Sequence, residues 1–193
     1  MKFIKAIILC WKWLYVHILG GVFYEKKYLR GKWFQDGIYS LGIQWAARDI
    51  HSRIHTGRNL GIRWPVSPDI HVGNRINFDP DDLNNMQGFG CYFQTMDGTI
   101  TIGKGTYIAV NVGIITTNHD LLNPDIHAPG KDIIIGEKCW IGMNSVILPG
   151  VVLGNHTVVA AGSIVTKSYP DGYCVIGGNP AKVIKNLRED ENI

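Results

Sequence analysis

The chain lacks the spacings that would give its cysteines a shared task. Cys10, Cys91, Cys139 and Cys174 lie far apart, with no Cys-x-x-Cys pair and no Cys/His cluster. That disfavours a disulfide framework and a structural zinc site, and the four read as free thiols in a reducing compartment. Charge excess is also missing, because a formal net charge of +3 over 193 residues is too small to imply a nucleic-acid partner. The basic character that exists is unevenly placed. Residues 1–35 hold seven Lys/Arg against the single acid Glu25, whereas the remainder holds twelve against fifteen acids. Nor is there a long apolar run free of charge. In residues 3–24, Lys5, Lys12 and His17 interrupt the apolar side chains and no small-residue cleavage site follows. Both points argue against a spanning helix and against a signal peptide.

As a helix, residues 3–24 put Lys5 and Lys12 on one face and Ile4, Ile8, Trp11, Tyr15 and Ile18 largely around the other. With Lys26, Lys27 and Arg30 downstream, two readings stand. One is an in-plane helix on anionic lipid, which gives peripheral membrane contact on the inner face of the membrane. The other is a helix that packs on the rest of the fold or on a neighbouring subunit. Gly20-Gly21 is expected to end it. Residues 25–65 carry aromatics and Arg48, Arg53, Arg58 and Arg63 but no motif. They are expected to be irregular or short helices, so the N-terminal segment is set at 1–65.

What the chain has is a six-residue beat. Ile135, Ile141, Ile147, Leu153, Val159 and Val165 are all aliphatic, each six residues after the last. Gly136, Gly142 and Gly154 follow three of them and Ala160 a fourth. Neither a helix of period 3.6 nor a two-faced strand of period 2 produces this pattern. Period six fits a parallel β-helix, three short strands to a triangular coil of eighteen residues. The aliphatic residue points inward, and the small one is expected at the tight corner. The beat also occurs at Ile102, Ile108 and Ile114, and Ile102 to Ile135 spans one coil plus fifteen residues. Residues 117–132 are therefore expected to leave the prism as a loop. Between Val66 and Gly98 the phase holds at Val66, Val72 and Phe78 and breaks at Asn84 and Gly90. That stretch is either a distorted coil or a loop over a cleft.

Five motifs fall in order along this stretch: Thr117-Asn118-His119-Asp120, Cys139-Trp140-Ile141-Gly142, Ile147-Leu148-Pro149-Gly150-Val151, Ala161 to Lys167, and Gly178-Asn179-Pro180-Ala181-Lys182-Val183-Ile184. Together they resemble the hexapeptide-repeat acyltransferases, in the branch of galactoside, maltose, polysaccharide and xenobiotic acetyltransferases. The resemblance implies a left-handed parallel β-helix over 66–185, a tail at 186–193, and an all-β class with an N-terminal helical segment and an extruded catalytic loop. It implies a homotrimer with active sites between subunits, acetyl-CoA as co-substrate, no metal, and a cytoplasmic location.

By the same resemblance His119 matches the general base, with Asp120 as the residue that could orient it. Gly142, Met143, Trp140, Ala161, Thr166, Lys167, Lys182 and Lys185 fall where the family contacts CoA, and the Gly142 N–H is a candidate oxyanion donor. Tyr92, Gln94 and Asp97 stand where sugar acetyltransferases of this branch place acceptor-binding residues. His119, His127 and His156, 8 and 29 residues apart, do not match the three-histidine zinc pattern of a γ-class carbonic anhydrase. The implied reaction is acetyl transfer to a sugar hydroxyl of a surface polysaccharide or its precursor. Amino-sugar N-acetylation, xenobiotic O-acetylation and an inactive trimeric scaffold remain as alternatives.

Overall fold

The computed structural model describes residues 2–188. Helix α1 (Lys2–Phe23) packs on helix α2 (Leu41–Thr56), with three short 3₁₀ turns between them. Next come β1 (His71–Val72), β2 (Ile76–Asn77), a 3₁₀ run at Pro80–Met86, β3 (Tyr92–Gln94), β4 (Ile100–Ile102), β5 (Tyr107–Ile108) and β6 (Gly113–Ile115). After an excursion the chain resumes at β7 (Ile133–Ile135), β8 (Trp140–Ile141), β9 (Val146–Ile147), β10 (Val152–Leu153), β11 (Val158–Val159) and β12 (Ile164–Val165). It finishes with β13 (Cys174–Gly177) and β14 (Lys182–Asn186).

These strands form three sheets, in the orders β1-β3-β6-β9-β12, β10-β7-β4-β2 and β14-β13-β11-β8-β5. Successive strands thus move from one sheet to the next, and pairing joins one coil to the coil above it. The registers are parallel throughout, except that β14 turns back antiparallel on β13. Ile102, Ile114, Ile135, Ile141, Ile147, Leu153, Val159 and Val165 are at most 3% exposed, so the six-residue beat is the inward face of the prism.

The corners differ from expectation. Left-handed backbone falls at Lys138, Asn144, Gly150, His156 and Gly162, themselves six apart. The small residues after the aliphatic ones answer a different need. A Cβ on Gly142 would lie 2.6 Å from the Ala161 nitrogen and 2.7 Å from the Val159 oxygen. Glycine there lets one coil's backbone lie against the next.

The fold is not all-β, and the N-terminal region is more ordered than its sequence suggests. Helix α1 runs through Gly20-Gly21 instead of stopping there. Gly20 is buried, and a Cβ on it would meet a Leu29 methyl at 3.1 Å. Close packing therefore outweighs glycine's cost of about 1 kcal/mol in a helix. Helix α2 ends at Gly57, left-handed at φ 69°, whose N–H donates to the Arg53 carbonyl. Its inner face, Ile43, Ala46 and Ile50, meets Val16 and Tyr24 in a small second core. The fully buried Arg53 donates to Asp49 Oδ2 and to the carbonyls of Ile62 (2.6 Å) and Trp64 (2.9 Å), while Val66 N–H also reaches Asp49 Oδ2. This cluster fixes α2 to the chain entering the first coil. Tyr28, Trp64 and Phe78 pack against one another at that end of the prism, Tyr28 stacked on Phe78 and Trp64 edge-on to Phe78, and Tyr28 and Trp64 join the prism core. The aromatic segment without a motif is a cap, as the open end of a solenoid requires.

Residues 66–98 form the distorted coil. The 3₁₀ run replaces a strand, and its side chains complete the sheet edge. Asn85 donates to Thr106 O and accepts from Ile108 N–H, and Asp82 accepts from Gly105 N–H. Of the tail, Leu187 N–H donates to Tyr173 O and Arg188 stacks on the Tyr173 ring. Residues 189–193 lie outside the described residues.

Candidate active site

The excursion between β6 and β7 leaves one edge of the prism with both stems fixed. Gln94, buried on β3, receives the N–H groups of Thr116 and Thr117 on Oε1 at 3.0 and 3.1 Å and donates from Nε2 to Thr117 O. Asp97 Oδ2 accepts Gly130 N–H at 3.1 Å, and Lys131 N–H donates to Thr116 O at 2.8 Å. The upper loop is a short hairpin. Asp120 N–H donates to Ile126 O, Ala128 N–H donates to Asn118 O, and His119 faces His127. Its tip follows from its residue types. Asp120 Oδ1 accepts from Leu122 and Asn123, both at 2.9 Å, and Asn123 Oδ1 accepts from Asp125. The Asn123 and Leu122 amides hold the Asp120 carboxyl below its usual range.

His119 is exposed at this tip. Its Nδ1 lies 2.6 Å from the Pro124 carbonyl oxygen, which can only accept. Nδ1 is therefore the donor in this contact, and in the neutral ring Nε2 would be the nitrogen with the lone pair. The His127 ring sits 4.5 Å away, tilted by 34°. The ring is thus oriented by the Pro124 carbonyl, whereas Asp120, expected in that role, hydrogen-bonds the backbone of its own turn. No side-chain pattern in the sequence flags a backbone carbonyl in this role.

The remaining candidates fall on separate parts of the prism. Thr166 and Lys167 follow β12 on the edge from which the His119 loop departs. Gly142, Met143 and Ala161 stack along a different edge, where Gly162 N–H donates to Met143 O. Trp140, 58% exposed, stands on the third sheet in a row with Val158, Val175 and Lys185, and Lys182 begins the strand that carries Lys185. Within one chain, His119 and Trp140 are not brought together. The Gly142 N–H donates to Val159 O at 2.8 Å as part of the ladder between coils, which removes it as an oxyanion donor.

Gln94 and Asp97, expected to bind an acceptor, hold the loop stems. Tyr92 stacks on His71, ring centroids 5.0 Å apart, in a groove of ≈ 530 Å³ that Asn59, Asn74, Gln94 and Met96 also line. Because Gln94 belongs to both, this groove adjoins the base of the His119 loop. From sequence, His71 stands out only within Asp69-Ile70-His71, a faint echo of a serine acetyltransferase motif. Its signal was its register opposite Tyr92, visible only once the coils are stacked.

Residues 132–167 match the family described as bacterial transferase hexapeptide (six repeats). The chain is 39% identical over 143 residues to the galactoside O-acetyltransferase of Escherichia coli, covering 69% of this chain and 64% of that protein. It is 35% identical over 107 residues to an Escherichia coli protein named as a lipopolysaccharide biosynthesis O-acetyl transferase, covering 49% and 54% respectively. Among solved structures, a hexapeptide-repeat containing acetyltransferase of Vibrio cholerae superposes with TM-score 0.50 at 29% identity, over 63% of this chain and 69% of that one. The chain spans less than two thirds of the length of either curated relative.

Proposed function

We propose that this chain, a hexapeptide-repeat transferase by its residues 132–167, is an acetyl-CoA-dependent O-acetyltransferase acting on a sugar hydroxyl of a surface polysaccharide. The observation that carries this reading is His119. It sits on the only long excursion between successive coils of the prism among the described residues, with Nδ1 donating to Pro124 O and Nε2 left as a base. Left-handed winding of the coils belongs to the same reading.

Nε2 takes the proton from the acceptor hydroxyl as its oxygen attacks the thioester carbonyl carbon. The tetrahedral intermediate then collapses, the carbon–sulfur bond breaks, and the imidazolium returns the proton to the departing CoA thiolate. The acetyl ester and free CoA are the products. A base placed in this way contributes about 10²–10⁴ in rate. No covalent enzyme intermediate is needed. The separation of His119 from Trp140, Met143 and Ala161 supports a cleft between subunits, with the His119 loop of one protomer facing the Trp140 sheet of the next. Exposed Trp140 and Met143 would flank the pantetheine there. Lys182 and Lys185 on β14 would meet its phosphates as point charges. The sugar-hydroxyl part of the reading draws on the galactoside O-acetyltransferase, and the polysaccharide part on the relative named for lipopolysaccharide biosynthesis.

The test is free CoA thiol released from acetyl-CoA over a panel of acceptor sugars, with His119→Ala beside the native chain. Acceptor-dependent release that falls about 10²–10⁴-fold in the variant is the expected result. Full activity in the variant would remove His119 as the base, and absence of CoA binding would remove the enzyme reading.

A further inference from the structure

The face of α1 turned away from α2 has no partner among the described residues. Ile4, Ile8, Trp11, Leu14, Ile18 and Val22 follow one another along it, with Trp11, Ile18 and Val22 exposed at 68%, 64% and 65%. Each lies three or four residues after the last, one stripe of a helix. No charged side chain interrupts that stripe. The opposite face, with Leu9, Val16 and Gly20 buried, is committed to the protein. Beside the stripe, α1 and α2 enclose a groove of ≈ 700 Å³ that none of the acetyl-transfer residues line. Its walls include the aromatic Trp11, Tyr15 and Trp45 and the basic or titratable Lys12, Arg48 and His51.

We propose that this surface docks on an anionic lipid bilayer, with α1 lying in the membrane plane and the α1/α2 groove receiving a phosphate headgroup. An apolar stripe flanked by aromatics and bases is the build of an interfacial helix. Charge selects the occupant. Residues 1–35 hold seven bases and one acid, and that acid, Glu25, is paired with Lys27 at 3.2 Å. A second copy laid on this face would set base against base, whereas a phospholipid surface supplies the opposite sign. Helix α1 is long and apolar enough to cross a bilayer, but its inner face holds Lys12 and rests on α2, which carries Arg48 and the buried Asp49–Arg53 pair. Crossing would strip that contact, and lying in the plane keeps it. The proposal stands independently of acetyl transfer.

The test is sedimentation of the full chain with phosphatidylcholine vesicles, and with vesicles in which about a third of the lipid is phosphatidylglycerol. Binding to the second and little to the first is expected, and high salt should weaken it. Trp11→Glu with Ile18→Glu, both exposed, should lower the bound fraction about tenfold or more with thermal unfolding unchanged. Arg48→Glu should lower it severalfold. Cys10 lies beside Phe3, Ile7 and Leu14, so the bilayer should also shield it from a water-soluble maleimide. A chain that stays in the supernatant with both vesicles overturns the proposal. So does undiminished binding by the double glutamate variant, or a double variant that instead shifts the native assembly to a smaller mass, which would assign the face to a second copy.

Discussion

Gly142 shows how one residue answers to two coils at once. Its neighbours Ile141 and Met143 point into and out of the prism, but its own Cα lies against the backbone of the coil above. Gly142→Ala would place a methyl group 2.6 Å from the Ala161 nitrogen, and backbone cannot swing aside as a side chain can. The expected loss is about 1–3 kcal/mol in urea unfolding, as for other overpacked sites. Asp120 gives a pH-dependent counterpart. Its folded carboxyl is held below the unfolded value near 3.9, first by the Asn123 N–H and then by Leu122. A depressed carboxyl contributes above its unfolded pKa and loses that contribution as pH falls through the lower, folded one. The Leu122 and Asn123 amide shifts should therefore hold steady from neutral pH to about pH 4 and move only below it. In Asp120→Ala they should be displaced at every pH, while Asp120→Asn keeps an acceptor.

At the scale of elements, a buried polar cluster ties α2 to the chain entering the first coil, beside its apolar contact with α1. Arg53 and Asp49 are both fully buried, and Arg53 carries three further tasks through the Ile62 and Trp64 carbonyls and the Tyr24 ring. Asp49→Ala leaves a buried guanidinium without its carboxylate, so a loss of about 3–5 kcal/mol is expected. Replacing both partners together, Asp49→Leu with Arg53→Met, should recover much of it. A double variant as unstable as the single one would show that the carbonyl contacts matter more than the charge pair. The His119 hairpin is the opposite kind of element. Its side chains are exposed, and its position comes from Gln94 and Asp97 in a neighbouring coil gripping its two stems.

For the whole molecule, the two groups of candidate residues on different prism edges lead to one prediction. Sedimentation equilibrium should give a particle near three times 21.5 kDa. A stable monomer would leave His119 without the Trp140 sheet and would overturn the proposed cleft. The prism itself is a one-dimensional stack in which each coil touches only its neighbours, so its ends need covers. α2 and the Tyr28–Trp64–Phe78 cluster close one end. The antiparallel β14 lies along the last strand at the other.

The sequence by itself determined the prism, because an aliphatic residue at every sixth position faces inward and is buried in each coil, together with the residue two before it, Cys139, Ser145, Val151, Thr157 and Ser163. It also marked the loop, since a fifteen-residue break in so regular a beat has to leave the stack, and it put His119 on it. The period-six left-handed corners were written there too, at Asn144 and His156 in residue types enriched at positive φ and at Lys138 in one that is not. Tertiary structure decided the rest. The orienting partner of His119 is a backbone carbonyl five residues further along the same loop, whereas Gln94 and Asp97 turn out to clamp the loop, and Gly142 has its N–H in the ladder, through contacts between coils 17 or more residues apart. Helix α2 and the continuation of α1 past Gly20 were likewise fixed by packing, where burial against a neighbour outweighs the local preference of the chain.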